Sequence, residues 1–272
     1  MKTVAIIQAQ FSAIRLPGKV LLPLGNKSVL RRVIERVRHC RALHDVVIAS
    51  SIAPEDDPVV AEVEQDQVTC FRGSVTDVLG RYFGAAEMCQ ADVVVRVSAD
   101  CPLIDPQLIC QMVDAFQARN LTGQSTDYMS NTLKRTYPHG LEAEIFTYAA
   151  LRQAYERADQ AFEREHVTPF IYRHPDIFNL FSYEGRIDQS SYRLGLESAE
   201  DYQLLEAIYG ELGQESGLFS TQAVINLLIH QPKLARLNAP AARPSTHSGY
   251  VERSGPPDTT GHGNHRPGTF EI

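Results

Sequence analysis

Two cations four positions apart flank a Pro-Gly turn in Arg15-Leu16-Pro17-Gly18-Lys19. A turn of this kind exposes backbone N–H groups, and two cations beside it suit a polyphosphate. A solvated loop that happens to carry two charges is the competing reading. Asp100 stands in Arg96-Val97-Ser98-Ala99-Asp100-Cys101-Pro102-Leu103, where a very apolar run ends. A carboxylate at a strand's carboxyl end can hold Mg²⁺ that bridges phosphates; a turn Asp ahead of Pro102 is the alternative. Glu197, in Leu194-Gly195-Leu196-Glu197-Ser198, offers a second carboxylate at a strand end for the same metal. Ser198 and Asp201 beside it have the spacing of a capping box.

Three further segments gather polar groups. In Phe71-Arg72-Gly73-Ser74-Val75-Thr76-Asp77-Val78-Leu79-Gly80-Arg81, Asp77 can cap a helix. Arg72, Ser74 and Arg81 then remain for a base or ribose. Tyr137-Pro138-His139-Gly140-Leu141-Glu142-Ala143-Glu144 and Glu163-Arg164-Glu165-His166-Val167-Thr168-Pro169 are rich in polar groups, but their spacing dictates no reaction. Gly25-Asn26-Lys27-Ser28 lacks the spacing of a Walker loop, and Glu165-His166 is not a zinc-protease motif. No Asp-x-Asp triplet occurs, which argues against a metal-dependent glycosyltransferase.

These residues need a frame. Residues 3–8, 45–49, 68–71 and 91–97 read as strands, the last built on Val93-Val94-Val95. Residues 29–41 place Val29, Leu30, Val33, Ile34 and Val37 on one helical stripe, with Arg31, Arg32, Glu35 and Arg38 outside it. Residues 58–64, 77–89 and 106–118 read as further helices, Asp105 capping the last. Strand and helix in alternation predict an α/β fold with a mostly parallel sheet and right-handed crossovers. Ligands then sit at the carboxyl ends of the strands. The second half is less regular: strands at 142–146, 178–182 and 192–196, helices at 148–157, 166–173, 199–209 and 221–230.

The chain has 272 residues and a net charge of −7, from 26 Lys+Arg and 33 Asp+Glu. An acidic chain is a poor general binder of nucleic acid. No apolar run is long enough to span a membrane, and no secretory leader is read at the start. The five Cys (40, 70, 89, 101, 110) form no CxxC pair, so reduced thiols in the cytoplasm are expected. Composition breaks near Asn238. Residues 239–272 hold five Pro and five Gly but only Val251, Phe270 and Ile272 of the Leu/Ile/Val/Phe class. One domain over 1–238 and a disordered tail follow as expectations.

Taken in order from about Lys2 to Asn238, these segments resemble the cytidylyltransferase family that activates acidic sugars. The likeness is strongest to the branch of the spore coat polysaccharide biosynthesis protein F. It is carried by Arg15-Leu16-Pro17-Gly18-Lys19, Phe71-Arg72-Gly73-Ser74 with Asp77-Val78-Leu79 and Arg81, Ala99-Asp100-Cys101-Pro102-Leu103-Ile104-Asp105 and Glu165-His166-Val167-Thr168-Pro169. The resemblance implies a Rossmann-like nucleotidyltransferase fold, with helices flanking the sheet and a less regular region through which two copies form a homodimer. It implies that CMP passes from CTP to a sialic-acid-like sugar acid. Arg15, Lys19 and Asp100 would be catalytic; Gln8, Gln10, Gly18, Arg72, Ser74, Asp77 and Arg81 would join Arg15 and Lys19 around the nucleotide. Tyr137, His139, Glu142, Glu144, Glu165 and His166 would face the acceptor. Asp100 and Glu197 would hold Mg²⁺. Gln10 stands where the family pattern has Arg, Ala13-Ile14 where it usually has Ser-Thr, and Glu197 where it has Asp. Those departures imply weaker triphosphate and metal binding, and leave a non-catalytic nucleotide-binding relative, or a nucleotidyltransferase with another nucleotide or acceptor, as the alternatives.

Overall fold

The computed structural model describes residues 1–12, 16–213 and 218–239. Ala13, Ile14, Arg15 and the expected tail beyond Ala239 lie outside the described residues. In chain order the elements are β1 (Thr3–Gln8), a hairpin of β2 (Pro23–Leu24) and β3 (Lys27–Ser28), α1 (Val29–Arg38), β4 (Asp45–Ser51) and α2 (Asp57–Gln65). Then come β5 (Thr69–Gly73), α3 (Val78–Met88), β6 (Val93–Ser98), α4 (Pro106–Leu121), β7 (Tyr128–Ser130) and β8 (Glu144–Thr147). The second half adds α5 (Tyr148–Arg157), α6 (Ala161–His166), α7 (Pro169–Arg173), β9 (Leu180–Ser182), α8 (Ala199–Leu212), α9 (Thr221–His230) and α10 (Pro232–Ala235).

The main sheet has the order β5-β4-β1-β6-β8-β7-β9. β5, β4, β1 and β6 run parallel, whereas β8 is antiparallel to both β6 and β7. β1 therefore pairs with β4 on one side and β6 on the other, so the strand order reverses there. That reversal opens a crevice at the carboxyl ends of β1 and β6. Alternation along the strands splits the core in two. Ala5, Ile7, Ile48 and Val95 pack towards α1, α4, α8 and α9, while Val4, Ile6, Val47, Ala49 and Val94 pack towards α3, α5 and α7. Ser28, Asp77, Asp105, Thr147, Ser198 and Ser220 each cap the helix that follows by accepting a backbone N–H. Asp201 completes the expected capping box with Ser198.

Several expectations are corrected. Residues 192–196 form no strand: only Arg193 makes an isolated bridge, to His139. The expected helix over 166–173 is two short helices, broken where Val167 takes φ +74°. Arg32 is buried rather than outside: its Nε donates to the Leu24 carbonyl (3.0 Å) and its Nη2 to Asn26 (2.9 Å), clasping the β2–β3 hairpin. Cys40 and Cys110 are joined in a disulfide between the end of α1 and α4, with Cα atoms 5.4 Å apart; only Cys70, Cys89 and Cys101 are free. Residues 70 apart meet because both helices pack on one face of the sheet, a proximity that spacing alone does not show.

Candidate active site

Gly18 starts the short 3₁₀ turn Lys19–Leu21 with φ +69°. Only glycine enters that region without strain, and a Cβ here would also lie 2.9 Å from the Phe11 ring. The Gly18 N–H donates to the Phe11 carbonyl (2.9 Å), folding the loop after β1 back on itself. Lys19 is thereby aimed across the crevice. Its Nζ lies 2.5 Å from Asp100 Oδ2 and donates to the Leu196 carbonyl at 2.8 Å. Both side chains are largely shielded, 15% exposed for Lys19 and 22% for Asp100. A cation is thus held between oxygen donors at the carboxyl edge of β1 and β6.

The far wall is backbone. The Leu196 N–H donates to the Asp100 carbonyl (2.8 Å), and Leu194 N–H to that of His139 (2.7 Å). Gly140, at φ +93°, packs directly on the Gly195 backbone, leaving no room for a side chain. Glu197 follows Leu196, its N–H held by Asp201 (3.0 Å). Asp201 also grips Arg193 (2.9 Å) and Asn238 (2.9 Å). Glu142 takes Arg135 Nη1 and the Gly140 N–H, each at 2.7 Å. The Cys101 thiol lies 3.6 Å from Asp100 and 3.8 Å from Glu142. Burial, with those two carboxylates, pushes its pKa well above the usual thiol range, so it remains a neutral S–H. His139 is pushed down, chiefly by burial and then by Arg135, despite Glu142 at 3.8 Å. Its imidazole is neutral at neutral pH.

Other predicted site residues are placed differently. Arg72 is spent on the loop after β4: it donates to the Ser51 (2.8 Å) and Ala53 (3.0 Å) carbonyls and pairs with Asp57 (2.7 Å). Asp77 caps α3 and holds Arg164 at 2.9 and 2.5 Å, so its oxygens are occupied by protein. Glu144 is 7% exposed and bonds Arg96, Tyr128 (2.5 Å) and Thr168 (2.6 Å) inside the sheet. It is a core residue, not one facing the crevice: β8 begins at Glu144, whereas Glu142 lies in the segment before the strand. Ser74 is exposed and accepts the Asp77 N–H (3.2 Å). Gln8 lies 3.5 Å from Gln10, near the Ala9–Lys19 loop. Tyr137 stacks on Tyr183, and His166 lies against Phe162; Glu165 is exposed. Arg81 is buried with all three guanidinium nitrogens unbonded. Sequence reasoning missed Arg135 and the Leu196 carbonyl. Arg135 stands two residues before a motif already singled out, while a backbone carbonyl carries no sequence signal at all.

A family model described as cytidylyltransferase matches residues 4–217. The chain belongs to the cytidylyltransferase family. A Bacillus subtilis relative, spore coat polysaccharide biosynthesis protein SpsF, is 32% identical over 236 residues, covering 85% of this chain and 95% of that protein. The 3-deoxy-manno-octulosonate cytidylyltransferase of Syntrophobacter fumaroxidans is 27% identical over 231 residues, 77% of this chain and 87% of its own. Among solved structures, a cytidylyltransferase from Leptospira borgpetersenii superposes with a TM-score of 0.81 at 32% identity, covering 86% of this chain and 97% of that one. The family's α/β nucleotidyltransferase fold, and with it a CTP-dependent transferase, agrees with the sheet order and crevice described above.

A divalent cation fits the donors present. Asp100 carboxylate and Leu196 carbonyl already converge on one positive charge, and both are hard oxygen donors of the kind Mg²⁺ takes. Among the described residues no group of three or more His, Cys, Asp or Glu forms a ready-made cage. Mg²⁺ in nucleotide sites commonly needs only one or two carboxylates, the phosphates supplying the rest.

Proposed function

We propose that this protein transfers CMP from CTP to a hydroxyl of a sugar acid of the sialic-acid type, with pyrophosphate leaving. The observation that carries the reading is the Lys19 ammonium held between Asp100 Oδ2 and the Leu196 carbonyl, at the crevice where the strand order reverses. Polyphosphate oxygens compete for such an ammonium, and the Asp100 carboxylate can then hold a divalent cation.

No covalent intermediate on the protein is required. Asp100, aided by Glu197, would hold Mg²⁺, which supplies charge neutralisation at the α-phosphate. Lys19, with Arg15, neutralises charge that builds on the departing pyrophosphate. The Gly18 turn directs Lys19 towards the phosphates, with Gln8 and Gln10 beside the nucleotide. The acceptor lies on the side of Tyr137, His139 and Glu142. The neutral His139 imidazole can take a proton from an acceptor hydroxyl at neutral pH. The enzyme works as a homodimer in the cytoplasm, where CTP is made. No helix among the described residues is long and apolar enough to cross a membrane.

Calorimetric titration with CTP, ATP, GTP and UTP in Mg²⁺ tests the reading on wild type and Asp100→Ala. Selective, Mg²⁺-dependent CTP binding that Asp100→Ala loses is expected, followed by pyrophosphate release when acidic sugars are supplied. Folded wild-type protein that ignores CTP sinks the reading. Binding without turnover on any acidic sugar would instead favour the non-catalytic relative that Gln10 and Glu197 suggest.

A further inference from the structure

The loop after β1 carries Gly18 and Lys19, and its position is set from outside that strand. The Ala9 N–H still belongs to the sheet, donating to the Ala49 carbonyl of β4 at 3.2 Å. Two residues on, a side chain takes over: the Phe11 N–H donates to Asp56 Oδ1 at 2.6 Å, across 45 positions of chain. The Phe11 carbonyl in turn accepts the Gly18 N–H at 2.9 Å, and the Phe11 ring fills the space where a Gly18 Cβ would stand. Lys19 follows Gly18 directly, with its Nζ on Asp100 and the Leu196 carbonyl.

Asp56 is 1% exposed. It stands at the N-cap of α2, where an Asp normally accepts a backbone N–H of the first turn, yet its side chain makes no such bond. It turns back to the end of β4 instead. Asp56 Oδ2 accepts the Ser51 N–H at 3.2 Å and the Ser51 hydroxyl at 2.5 Å, and Ser51 Oγ accepts the Ala53 N–H at 3.1 Å. Arg72 braces the same turn through the Ser51 and Ala53 carbonyls and Asp57. One carboxylate oxygen is thus fixed on β4 and the other on the loop after β1. A buried carboxylate demands donors, so the Phe11 N–H is drawn to it rather than to water.

We infer that Asp56 is a positioning residue of the transfer reaction: through Phe11 and Gly18 it sets where Lys19 meets the β- and γ-phosphates of the nucleotide. The inference rests on the CTP reading above and deepens it. Asp56 acts through Phe11 rather than on the substrate. Its effect passes along two backbone hydrogen-bond donors, Phe11 and Gly18, and one ring contact. At the end of that path stands a charge whose placement matters to within about 1 Å. The cap that Asp56 leaves unmade on α2 is the local role given up for this distant one.

The experiment compares wild type, Asp56→Asn and Ser51→Ala by amide hydrogen exchange, thermal unfolding, and calorimetric binding of CTP and CMP in Mg²⁺. In Asp56→Asn the one remaining oxygen stays with the two Ser51 donors, which leaves the amide N–H groups facing the Phe11 N–H. Exchange at Phe11 and Gly18 should then speed up about tenfold or more, while the amides of Ala9, β1 and β4 keep their protection. CTP should bind about tenfold more weakly, and CMP, which lacks the phosphates assigned to Lys19, within about twofold of wild type. Ser51→Ala removes one donor to Oδ2 but not the Phe11 bond, so it should melt about 2–4 °C lower and keep wild-type CTP affinity. If Asp56→Asn does not fold, Asp56→Glu replaces it, with the same selective loss expected because its longer arm displaces the acceptor from Phe11. The inference is overturned if the folded Asp56 variant keeps wild-type CTP affinity, if CTP and CMP weaken alike, or if exchange rises evenly across the sheet. Ser51→Ala losing CTP as strongly also overturns it, since loosening of β4 would then account for the effect. A wild type that binds no CTP removes this inference and the transferase reading together, whereas unchanged CTP affinity in the Asp56 variant removes this one alone.

Discussion

Asp77 and Arg164, 87 positions apart, meet in a two-point ion pair: Arg164 Nε reaches Asp77 Oδ1 at 2.9 Å and Nη2 reaches Oδ2 at 2.5 Å. The same Asp77 oxygen caps α3 through the Gly80 N–H (2.9 Å), and Arg164 lies over the Tyr155 ring. One carboxylate therefore fastens α6 to the start of the helix that carries Arg81.

That dual use separates two substitutions. Asp77→Asn keeps an oxygen for the cap and loses the ion pair; Asp77→Ala loses both. The cap is worth about 1 kcal/mol. The pair is partly exposed, so it is worth less than a buried one, roughly 1 kcal/mol. Urea unfolding should rank wild type above Asp77→Asn above Asp77→Ala, with steps of about 1 kcal/mol. Equal stability of all three would show that neither contact matters.

Lys19→Ala and Asp100→Ala should each reduce kcat by roughly 10²- to 10³-fold, since each removes a charge aligned with the transferring phosphates. The double variant should fall little below the singles, because the two groups act as one unit. Single-turnover rates of pyrophosphate release check this, and additive losses would contradict it. Lys19→Arg should rescue only in part, because a planar fork directs its N–H groups differently from a compact ammonium.

Gln10→Arg supplies the cation that the family resemblance implies at this position. A charge-assisted hydrogen bond contributes about 1.5–3 kcal/mol, so CTP should bind roughly 10- to 150-fold tighter. Combined with Glu197→Asp, the Mg²⁺ concentration for half-maximal rate should fall. Unchanged CTP affinity in Gln10→Arg would mean that this side chain does not reach the phosphates.

Glu144 couples stability to pH. Burial alone would raise its pKa, but the Arg96 guanidinium and the Thr168 and Tyr128 hydroxyls outweigh it and hold it below the ordinary 4.5. A depressed carboxylate contributes its stabilisation in full above the unfolded-state value and loses it as pH falls through the folded-state one. Wild type should therefore lose stability below about pH 4.5, and Glu144→Gln should show less of this acid loss. At pH 7, Glu144→Gln strands Arg96 and should cost about 3–5 kcal/mol. Melting temperatures across pH 3–7 decide the matter. An identical acid limb in both proteins would place its origin elsewhere.

Cys40–Cys110 is checked by counting thiols. Unfolded without reductant, the protein should expose three reactive thiols, Cys70, Cys89 and Cys101, and five after reduction. Cys40→Ser should lower the melting temperature of oxidised protein and leave that of reduced protein much less affected. Five thiols before reduction would show that the pair stays open.

The sequence by itself determined the parallel half of the fold and the loops that matter. Apolar runs such as Val93-Val94-Val95, the stripe of α1 and the capping residues Asp105 and Ser198 act over a few neighbours, so local spacing reveals them. The Pro-Gly turn before Lys19 and the carboxylate at the end of β6 were legible for the same reason. Only the tertiary structure decided how polar groups were spent. Arg72, Asp77 and Glu144 look like binding residues in isolation, but each meets partners distant in the chain: Ser51, Arg164 and Arg96. Arg81, of the same residue type as Arg72 and nine positions on, meets none. Hydrogen-bond satisfaction depends on which distant groups the packed sheet brings within about 3 Å. That choice is made by the whole chain at once, and no single segment records it.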